Sequence, residues 1–247
     1  MTLQEDTLIV SIKIHDCPQC GSPDIVKNGR DKNGKQKFHC HICQAYGTLE
    51  PTVPYSENRK AEMLRAYQER ASMRGISRVF GVARQTLAGW LKEKAVRLPN
   101  LAQTLEPARP DDVLELDELW SFVLKKANKS WIWIALCRRT RQIVAYVMGD
   151  RSEQSCRKLW QRIPAAYKRC HTFSDFWDAY QKVFRTARHP SVGKESGQTA
   201  HVERWNNTLR QRLARFVRKT LSFSKSDTFH ELVLRLFIHV YNAQCIS

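Results

Sequence analysis

The chain has 247 residues, 42% of them hydrophobic, and its 41 lysines and arginines against 24 acidic residues give a formal net charge of +17. This length allows one large domain or two to three small ones, with enough apolar residues for a buried core. The positive charge argues for a polyanionic partner. No apolar run approaches the roughly 18 residues of a membrane-spanning helix, and no lipidation motif or lysine-rich amphipathic segment indicates a membrane surface.

The N-terminal residues 1–16 begin acidic and then alternate apolar with polar side chains. This pattern predicts a strand and not a signal peptide. We therefore expect a cytoplasmic protein in a reducing compartment, where disulfides are rare.

Four of the eight cysteines form two C-x₂-C pairs separated by 19 residues. They are Cys17, Cys20, Cys40 and Cys43. This spacing is typical of a structural four-thiolate Zn²⁺ site, and with two short strands between the pairs it predicts a zinc ribbon over residues 1–50. Disulfides are the alternative, and His39 and His41 are alternative ligands. The remaining cysteines are isolated and are predicted to be small core residues: Cys137, Cys156, Cys170 and Cys245.

Three short helical patterns follow a proline-containing linker, and we assign them to a helix-turn-helix DNA-binding domain over residues 58–96. The second pattern, near residues 72–80, ends at Gly81, and the third begins near residue 84. A short helix, a glycine turn and a helix with a polar start form the helix-turn-helix pattern. The residues predicted to reach base edges are Arg84, Gln85 and Thr86. A generic three-helix bundle is the alternative.

Residues 97–112 contain three prolines and no clear period, and we place a linker there. Residues 113–247 then indicate three strands, a helix, a short strand and three further helices, one of them long and predicted over residues 199–219. This element order is that of a ribonuclease H-like domain, which is an analogy of fold alone. The predicted fold class is α/β multidomain, with a zinc ribbon, a helix-turn-helix and a domain that has a mixed five-stranded sheet with flanking helices.

Three acids fall on the first strand, at the end of the fourth strand and on the late helix of this domain. They are Asp117, Asp175 and Glu203. Mg²⁺ prefers carboxylate oxygens, and two such ions can stabilise both the attacking and the leaving oxygen of a phosphodiester. Strand alternation places Glu115 and Asp117 on one face and Glu118 on the other. Taken singly, each acid also fits an ordinary role, as an ion-pair partner, a helix N-cap or a first-turn acid.

The segment 201–226 combines one acid, Glu203, with seven lysines and arginines. Such a cationic surface binds nucleic-acid phosphates. Asn207 and Arg210 lie four and seven residues after Glu203, so we predict that they share its helix face and contact the scissile phosphate. The cations predicted to contact the DNA backbone are Arg212, Arg215, Arg218, Lys219 and Lys225. Solvated surface charge is the alternative for each of them.

Three stretches resemble the transposases of the insertion sequence one (IS one) family of bacterial mobile elements: LDELWSFV, FSDFWDAY and HVERWNNTLRQRLARFVRKTLSFSKS. The CPQC and CHIC pairs and the segment SMRGISRVFGVARQTLAGWLKEK are similar to the short DNA-binding reading frame of the same elements. The resemblance covers nearly the whole chain, and the end of its third stretch is highly specific. Many members of the family join two frames by ribosomal frameshifting, whereas here both parts lie in one uninterrupted chain.

The resemblance implies a DDE-type DNA transposase that forms no covalent protein–DNA intermediate, with Asp117, Asp175 and Glu203 as its triad in residues 113–247. The triad would hold two catalytic Mg²⁺, which Mn²⁺ can replace, beside the structural Zn²⁺. The implied partners are double-stranded DNA, as terminal inverted repeats and as target, and further copies of the chain in a homodimer or higher oligomer. The separation of 28 residues between Asp175 and Glu203 exceeds the family's usual spacing by a few, and we assign the insertion to the loop at residues 188–198.

Two other functions are compatible with the sequence. One is a non-catalytic DNA-binding repressor derived from a transposase, which the intact acid triad disfavours. The other is a metal-dependent nuclease that cuts DNA without joining it, and only a joining assay separates that enzyme from a transposase.

Overall fold

The computed structural model describes residues 14–32, 34–49, 55–184 and 189–246. The chain divides into two compact units, Met1–Glu57 and Asn58–Ser247. Most of the strand predicted over residues 1–16 lies outside the described residues, as does residue 188 of the predicted insertion. No helix among the described residues is long and apolar enough to cross a membrane.

The smaller unit contains a three-stranded antiparallel sheet. Its strands, in spatial order, are β1 (Ile25–Arg30), β2 (Gln36–Cys40) and β3 (Tyr46–Thr48). The two strands predicted between the cysteine pairs are confirmed, and the third follows the second pair. The buried core of this sheet consists only of Cys17, Phe38 and Cys40 within the described part of the unit. A core this small contributes little stability by itself.

Three helices follow: α1 (Glu57–Tyr67), α2 (Met73–Phe80) and α3 (Arg84–Val96). The hydroxyl of Ser72 caps α2 by accepting a hydrogen bond from the Gly75 N–H at 2.9 Å. Gly81 ends α2 at φ 70°, in the left-handed conformation that glycine adopts without strain. These boundaries lie within two residues of the predicted ones, and the helices bury a shared apolar face: Met63, Tyr67, Ile76, Leu87 and Leu91.

A mixed sheet forms the centre of the larger unit. Its strands are β4 (Val113–Phe122), β5 (Lys129–Cys137), β6 (Ile143–Gly149) and β7 (His171–Phe173). The spatial order is β6-β5-β4-β7, with β4, β5 and β6 antiparallel and β7 parallel to β4. The sequence predicted five strands, whereas the described residues of this unit contain four. The short parallel strand is what places the end of β7 beside the middle of β4.

Four helices cover the sheet: α4 (Glu153–Arg162), α5 (Asp178–Val183), α6 (Ala200–Arg212) and α7 (Asp227–Gln244). Helices α4 and α5 pack against each other, and α4 contacts β5 and β6. Helix α6 contacts β4 and β5, and α7 contacts β6 and α3. Strand β4, which carries the first predicted acid, therefore faces the late helix that carries the third.

The late helix is shorter than predicted, because α6 ends at Arg212 and not at residue 219. Leu213 is extended, with φ −120° and ψ 105°, and a 3₁₀ turn follows at Ala214–Phe216. Leu213, Arg215 and Phe216 are all buried there. Tertiary packing thus overrides the helical pattern of the sequence.

The three-helix region and the sheet belong to the same compact unit. The Arg70 N–H donates to the Arg212 carbonyl at 2.7 Å. The buried guanidinium of Arg215 donates to Ser224 Oγ at 2.7 Å and also to the hydroxyl of Tyr67 in α1. The predicted linker, residues 97–112, is packed on the sheet: its Glu106 N–H, for example, donates to the side chain of Gln142 at 2.9 Å.

Candidate functional site

The register of β4 and β7 brings two of the predicted acids to the same level of the sheet. Glu115 of β4 pairs with Phe173 of β7 in parallel register. Asp117 lies two residues further along β4, and Asp175 lies two residues after Phe173, just past the end of β7, so the two acids are neighbours. Asp175 Oδ1 accepts the backbone N–H of Trp177 at 3.0 Å, which fixes the turn between β7 and α5. α5 begins only at Asp178 with no side-chain cap, so Asp175 is not its N-cap.

Asp117 is held by two hydrogen bonds. Its Oδ2 accepts from Asn206 Nδ2 at 2.7 Å, and its Oδ1 accepts from the backbone N–H of Glu118 at 2.9 Å. Asn206 is three residues after Glu203 on α6 and is buried. The exposed neighbour Asn207 was named from the sequence, as a contact of the scissile phosphate, and Asn206 was not singled out. Helical spacing could have identified Asn206, because positions i+3 and i+4 lie on the same face.

Glu118 joins the two aspartates, which the sequence analysis did not predict. One carboxylate oxygen from each of Asp117, Glu118 and Asp175 lies within 4.8 Å of the others. Glu118 points to the face opposite Asp117, as alternation requires, and its Oε2 accepts from the Tyr180 hydroxyl at 3.1 Å. Its Oε1 accepts from Arg151 Nε at 2.9 Å. The carboxylates converge because the turn after β7 lies at the edge of the sheet.

Glu203 is near this cluster but is not one of its members. It lies in the first turn of α6, and its Oε1 accepts from Thr199 Oγ1 at 3.1 Å. Its charge nevertheless contributes to the electrostatic environment of Asp117. The three acids of the predicted triad are thus brought to one region, with Glu203 on α6, Asp117 on β4 and Asp175 in the turn after β7.

Burial raises the pKa of Asp117 to about 7, and the nearby charges of Glu118, Asp175 and Glu203 add to the rise. Burial also raises the pKa of Glu118, although its ion pair with Arg151 opposes the shift. Carboxylates that raise one another's pKa repel each other when both are ionised. A bound cation would reduce that repulsion. These shifts are typical of functional sites.

Glu115 anchors the start of α6 from inside the protein. Its side chain is fully buried, and its Oε2 accepts the backbone N–H groups of His201 at 2.8 Å and of Val202 at 3.1 Å. Its Oε1 lies 2.8 Å from Arg138 Nε and 2.6 Å from His201 Nδ1. A carboxylate at a helix N-terminus satisfies N–H groups that lack partners within the helix.

The residues predicted to bind DNA are found in two different environments. Arg84, Gln85 and Thr86 are exposed at the start of α3, and Asn207, Arg218, Lys219 and Lys225 are exposed in the C-terminal region.

The other predicted DNA contacts are partly or fully buried arginines. Arg210 is half-buried, and its Nη2 lies 3.5 Å from the Trp120 carbonyl. Arg212 pairs with Glu69 at 2.7 Å and with the side chain of Gln244 at 3.2 Å. Arg215 is only 7% exposed and fully engaged by other side chains, so its position contradicts the prediction that it contacts DNA.

The four paired cysteines converge in the smaller unit. Their Sγ atoms all lie within 4.8 Å of one another. The distance from Cys17 Sγ to Cys43 Sγ is 3.7 Å, as is the distance from Cys20 Sγ to Cys40 Sγ. A tetrahedral Zn²⁺ with Zn–S bonds of about 2.3 Å requires sulfur atoms about 3.8 Å apart, whereas a disulfide requires about 2.05 Å. His39 and His41 contact Gln44 and Asp24 instead of the cluster. The arrangement fits Zn²⁺, and the Sγ–Sγ distances are those of unbonded thiols and not of disulfides.

Comparison with known protein families agrees with both sites. Residues 113–244 match the family model described as IS1 transposase, which is of the DDE type and covers more than half of the chain. Residues 9–44 match the model described as the InsA N-terminal domain, a zinc ribbon. The two matches contain, respectively, the carboxylate cluster and the four-cysteine cluster.

Individual relatives cover the same region. The chain is 38% identical over 126 residues to the insertion element iso-IS1n protein InsB of Shigella dysenteriae, an alignment that spans 51% of this chain and 93% of the relative. It is 33% identical over 130 residues to the IS1 protein InsB of Shigella flexneri, spanning 53% and 96%. It is 30% identical over 154 residues to the IS1 4 protein InsB of Escherichia coli K12, spanning 61% and 89%. The chain therefore belongs to the IS1 family of transposases.

Proposed function

We propose that this transposase catalyses metal-dependent DNA cleavage and strand transfer, with Asp117, Asp175 and Glu203 as the catalytic acids. The observation that carries the proposal is the parallel register of β4 and β7, which sets Asp117 beside Asp175 and within the electrostatic influence of Glu203. A ribonuclease H-like fold is part of this proposal, supported by three antiparallel strands with a parallel fourth beside the first, although the described residues contain four of the five predicted strands.

The residues present fit a hard divalent cation. Their donor set consists of carboxylate oxygens, and Asn206 Oδ1 beside them is buried without a hydrogen bond from any described residue. Asp117, Asp175 and Glu203 would hold two Mg²⁺, with Mn²⁺ as a substitute. When bound, these ions supply the positive charge that stabilises the attacking and the leaving oxygen of a phosphodiester.

The chain's own residues do the positioning. Asn206 fixes the orientation of the Asp117 carboxylate through the 2.7 Å hydrogen bond. Arg210, seven residues after Glu203 on the same helix, brings a half-buried guanidinium to the same region. Burial and the nearby charge of Arg218 lower its pKa, and the charge of Asp117 opposes this shift. We propose that Arg210 and the exposed Asn207 contact the scissile phosphate.

The proposed reaction has two chemically similar steps. Water attacks the phosphorus at the end of the element, the P–O bond to the 3′ oxygen breaks, and a free 3′-hydroxyl is formed. This hydroxyl then attacks a target phosphodiester, one new P–O bond forms, and one target P–O bond breaks. No covalent bond between DNA and protein is needed, because the DNA 3′-hydroxyl is itself the second nucleophile.

We further propose that the zinc ribbon and a helix-turn-helix at residues 58–96 recognise the terminal inverted repeats. The exposed start of α3, with Arg84, Gln85 and Thr86, is available to base edges. Arg218, Lys219 and Lys225 would contact the backbone, together with the partly buried Arg212 if DNA displaces its pairing with Glu69. Two or more copies of the chain would bring the two ends together.

The test is an assay of cleavage and strand transfer on repeat-end DNA with Mg²⁺, using Asp117→Asn, Asp175→Asn and Glu203→Gln. We expect each variant to lose at least about 100-fold in rate while retaining DNA affinity. The matched control is Asp178→Asn, an exposed acid that pairs with Lys182 one helical turn further on. It should retain wild-type rates.

Near-wild-type strand transfer by any of the three variants would remove that residue from the catalytic set. Wild-type protein that binds repeat-end DNA but neither cuts nor joins it with Mg²⁺ or Mn²⁺ would favour a repressor. Cutting without joining would favour a nuclease.

A further inference from the structure

Glu118 lies at the proposed metal site, although the DDE triad has no place for it. Its carboxylate is within 4.8 Å of both aspartates, whereas Glu203 is not part of that group. Its side chain is only 3% exposed. A carboxylate buried to this degree needs strong compensation from charges and hydrogen bonds.

The charges around Glu118 do not balance within the described residues. Three carboxylates meet there, against two guanidinium groups: Arg151, which pairs with Glu118, and Arg210, which is near Asp117 without forming an ion pair with it. The Arg151 guanidinium is itself held over the ring of Trp177, with 3.8 Å between its centre and the ring centroid. No described cation forms an ion pair with Asp117 or Asp175. A divalent cation would supply the missing positive charge.

Asn206 provides an independent observation. The residue is 7% exposed, and its Nδ2 donates to Asp117 at 2.7 Å. Its Oδ1, on the same amide group, receives no hydrogen bond from any described residue. A buried acceptor without a donor calls for a partner, and a cation or its bound water beside Asp117 would be one.

We propose that Glu118 is a further metal ligand, and that Asp117 and Glu118 of β4 and Asp175 of the turn after β7 together form one complete divalent-cation site. Glu203, on α6, is then a ligand of the second ion alone. Tyr180, whose hydroxyl donates to Glu118 Oε2 at 3.1 Å, is a positioning residue for the new ligand. This inference rests on the proposed function, because it assigns Glu118 to the same metal site.

The experiment is calorimetric titration of Mn²⁺ into the full-length, zinc-loaded protein without DNA. The variants are Glu118→Gln, Asp117→Asn and Glu203→Gln, with Asp178→Asn as the matched control. We expect Glu118→Gln and Asp117→Asn to weaken the tighter Mn²⁺ site at least about tenfold. Glu203→Gln should leave the tighter site within about threefold of wild type and abolish only the weaker one.

The possible failures are distinguishable. Loss of the tighter site in Asp117→Asn, but wild-type affinity in Glu118→Gln, overturns the role of Glu118 and leaves the proposed function intact. Loss of the tighter site in Glu203→Gln also overturns the inference, because Glu203 of α6 would then be a ligand of that site. Wild-type Mn²⁺ binding in Asp117→Asn overturns both the inference and the proposed function.

Tyr180→Phe tests the same ligand without changing charge at the site, in case Glu118→Gln does not fold. It removes only the hydroxyl that donates to Glu118. If Glu118 binds the metal, this loss should weaken Mn²⁺ binding by about tenfold, as is usual for hydrogen-bond partners of ligands. Unchanged Mn²⁺ affinity in a folded Tyr180→Phe protein would contradict the proposal.

Discussion

The carboxylate of Glu115 accepts the backbone N–H of His201 at 2.8 Å and so fastens the start of α6 to β4. Asp117 lies two residues later on the same strand, and Glu203 lies two residues after His201 on the helix. One strand therefore positions two of the proposed catalytic acids, Asp117 directly and Glu203 through Glu115. Glu115 is a positioning residue in this arrangement.

Replacing Glu115 should destabilise the protein and loosen the start of α6. Glu115→Gln removes a fully buried charge that faces Arg138 and His201. We expect the free energy of unfolding in urea to fall by about 2–4 kcal/mol, because the Arg138 guanidinium and the His201 ring lose the carboxylate that they contact. Faster hydrogen exchange at the amides of His201 and Val202 should accompany it. The control is Glu153→Gln on the surface of α4, and a Glu115→Gln protein as stable as this control would contradict the role.

The stability of the protein without catalytic metal should depend on pH through Asp117. Burial and neighbouring carboxylates raise its pKa from an ordinary 3.8 to about 7. The folded protein therefore holds this proton more tightly than the unfolded chain, so the contribution of Asp117 to stability falls as the pH rises from about 4 to about 7. Urea unfolding at about pH 5 and about pH 8 should show a smaller loss in Asp117→Asn than in wild type. Equal losses would contradict the shift.

Arg215 and Arg218 should have opposite effects, although both were predicted to contact DNA. Arg215→Met removes a buried guanidinium from Tyr67 and Ser224, and we expect it to destabilise the protein by about 2–4 kcal/mol. Its DNA affinity should keep the wild-type dependence on salt. Arg218→Met removes an exposed charge. The slope of log K for DNA binding against log salt concentration, the salt slope, should fall in magnitude by about one, without loss of stability. A reduced salt slope in folded Arg215→Met would contradict this assignment.

Removal of Zn²⁺ should unfold the smaller unit alone. Its described core is small, and the four Sγ atoms of the cluster are what the metal would join. A chelator should release one Zn²⁺ per chain and abolish amide protection in β1 and β2, while β4 and β5 stay protected. Cys40→Ser should have the same effect, and Cys245→Ser, outside the cluster, should have none. Retention of protection in β1 and β2 after complete Zn²⁺ loss would contradict the account.

The sequence predicted those parts of the fold that depend on local pattern. Gly81 and the polar start of α3 marked the turn between helices correctly, and the cysteine spacing identified the ribbon. The end of α6 was missed because Leu213 and Phe216 continue a helical pattern, whereas in the structure Leu213 is extended and Leu213, Arg215 and Phe216 are buried by tertiary contacts. Such long-range contacts leave no periodic signal in one sequence.

At the site too, local pattern was predictable from the sequence and long-range contacts were not. The positions of Asp117 and Asp175 were predicted from element order, and the register of β4 and β7 explains their proximity. Glu118 was placed on the opposite face of β4, and this was correct, yet its long side chain reaches the edge of the sheet where Asp175 lies. Alternation describes the direction in which a side chain leaves the strand, but it does not describe where a carboxylate ends.

The proposed function requires Asp175 to hold a catalytic metal, and replacement of its carboxylate by a thiol probes this role. Asp175→Cys should fail to transfer strands with Mg²⁺, which binds oxygen ligands, and should recover at least about tenfold in rate with Mn²⁺, which accepts softer ligands. Asp178→Cys should react at wild-type rates with both ions. Wild-type strand transfer by Asp175→Cys with Mg²⁺, or its inactivity with Mn²⁺ in a folded, DNA-binding protein, would contradict the account.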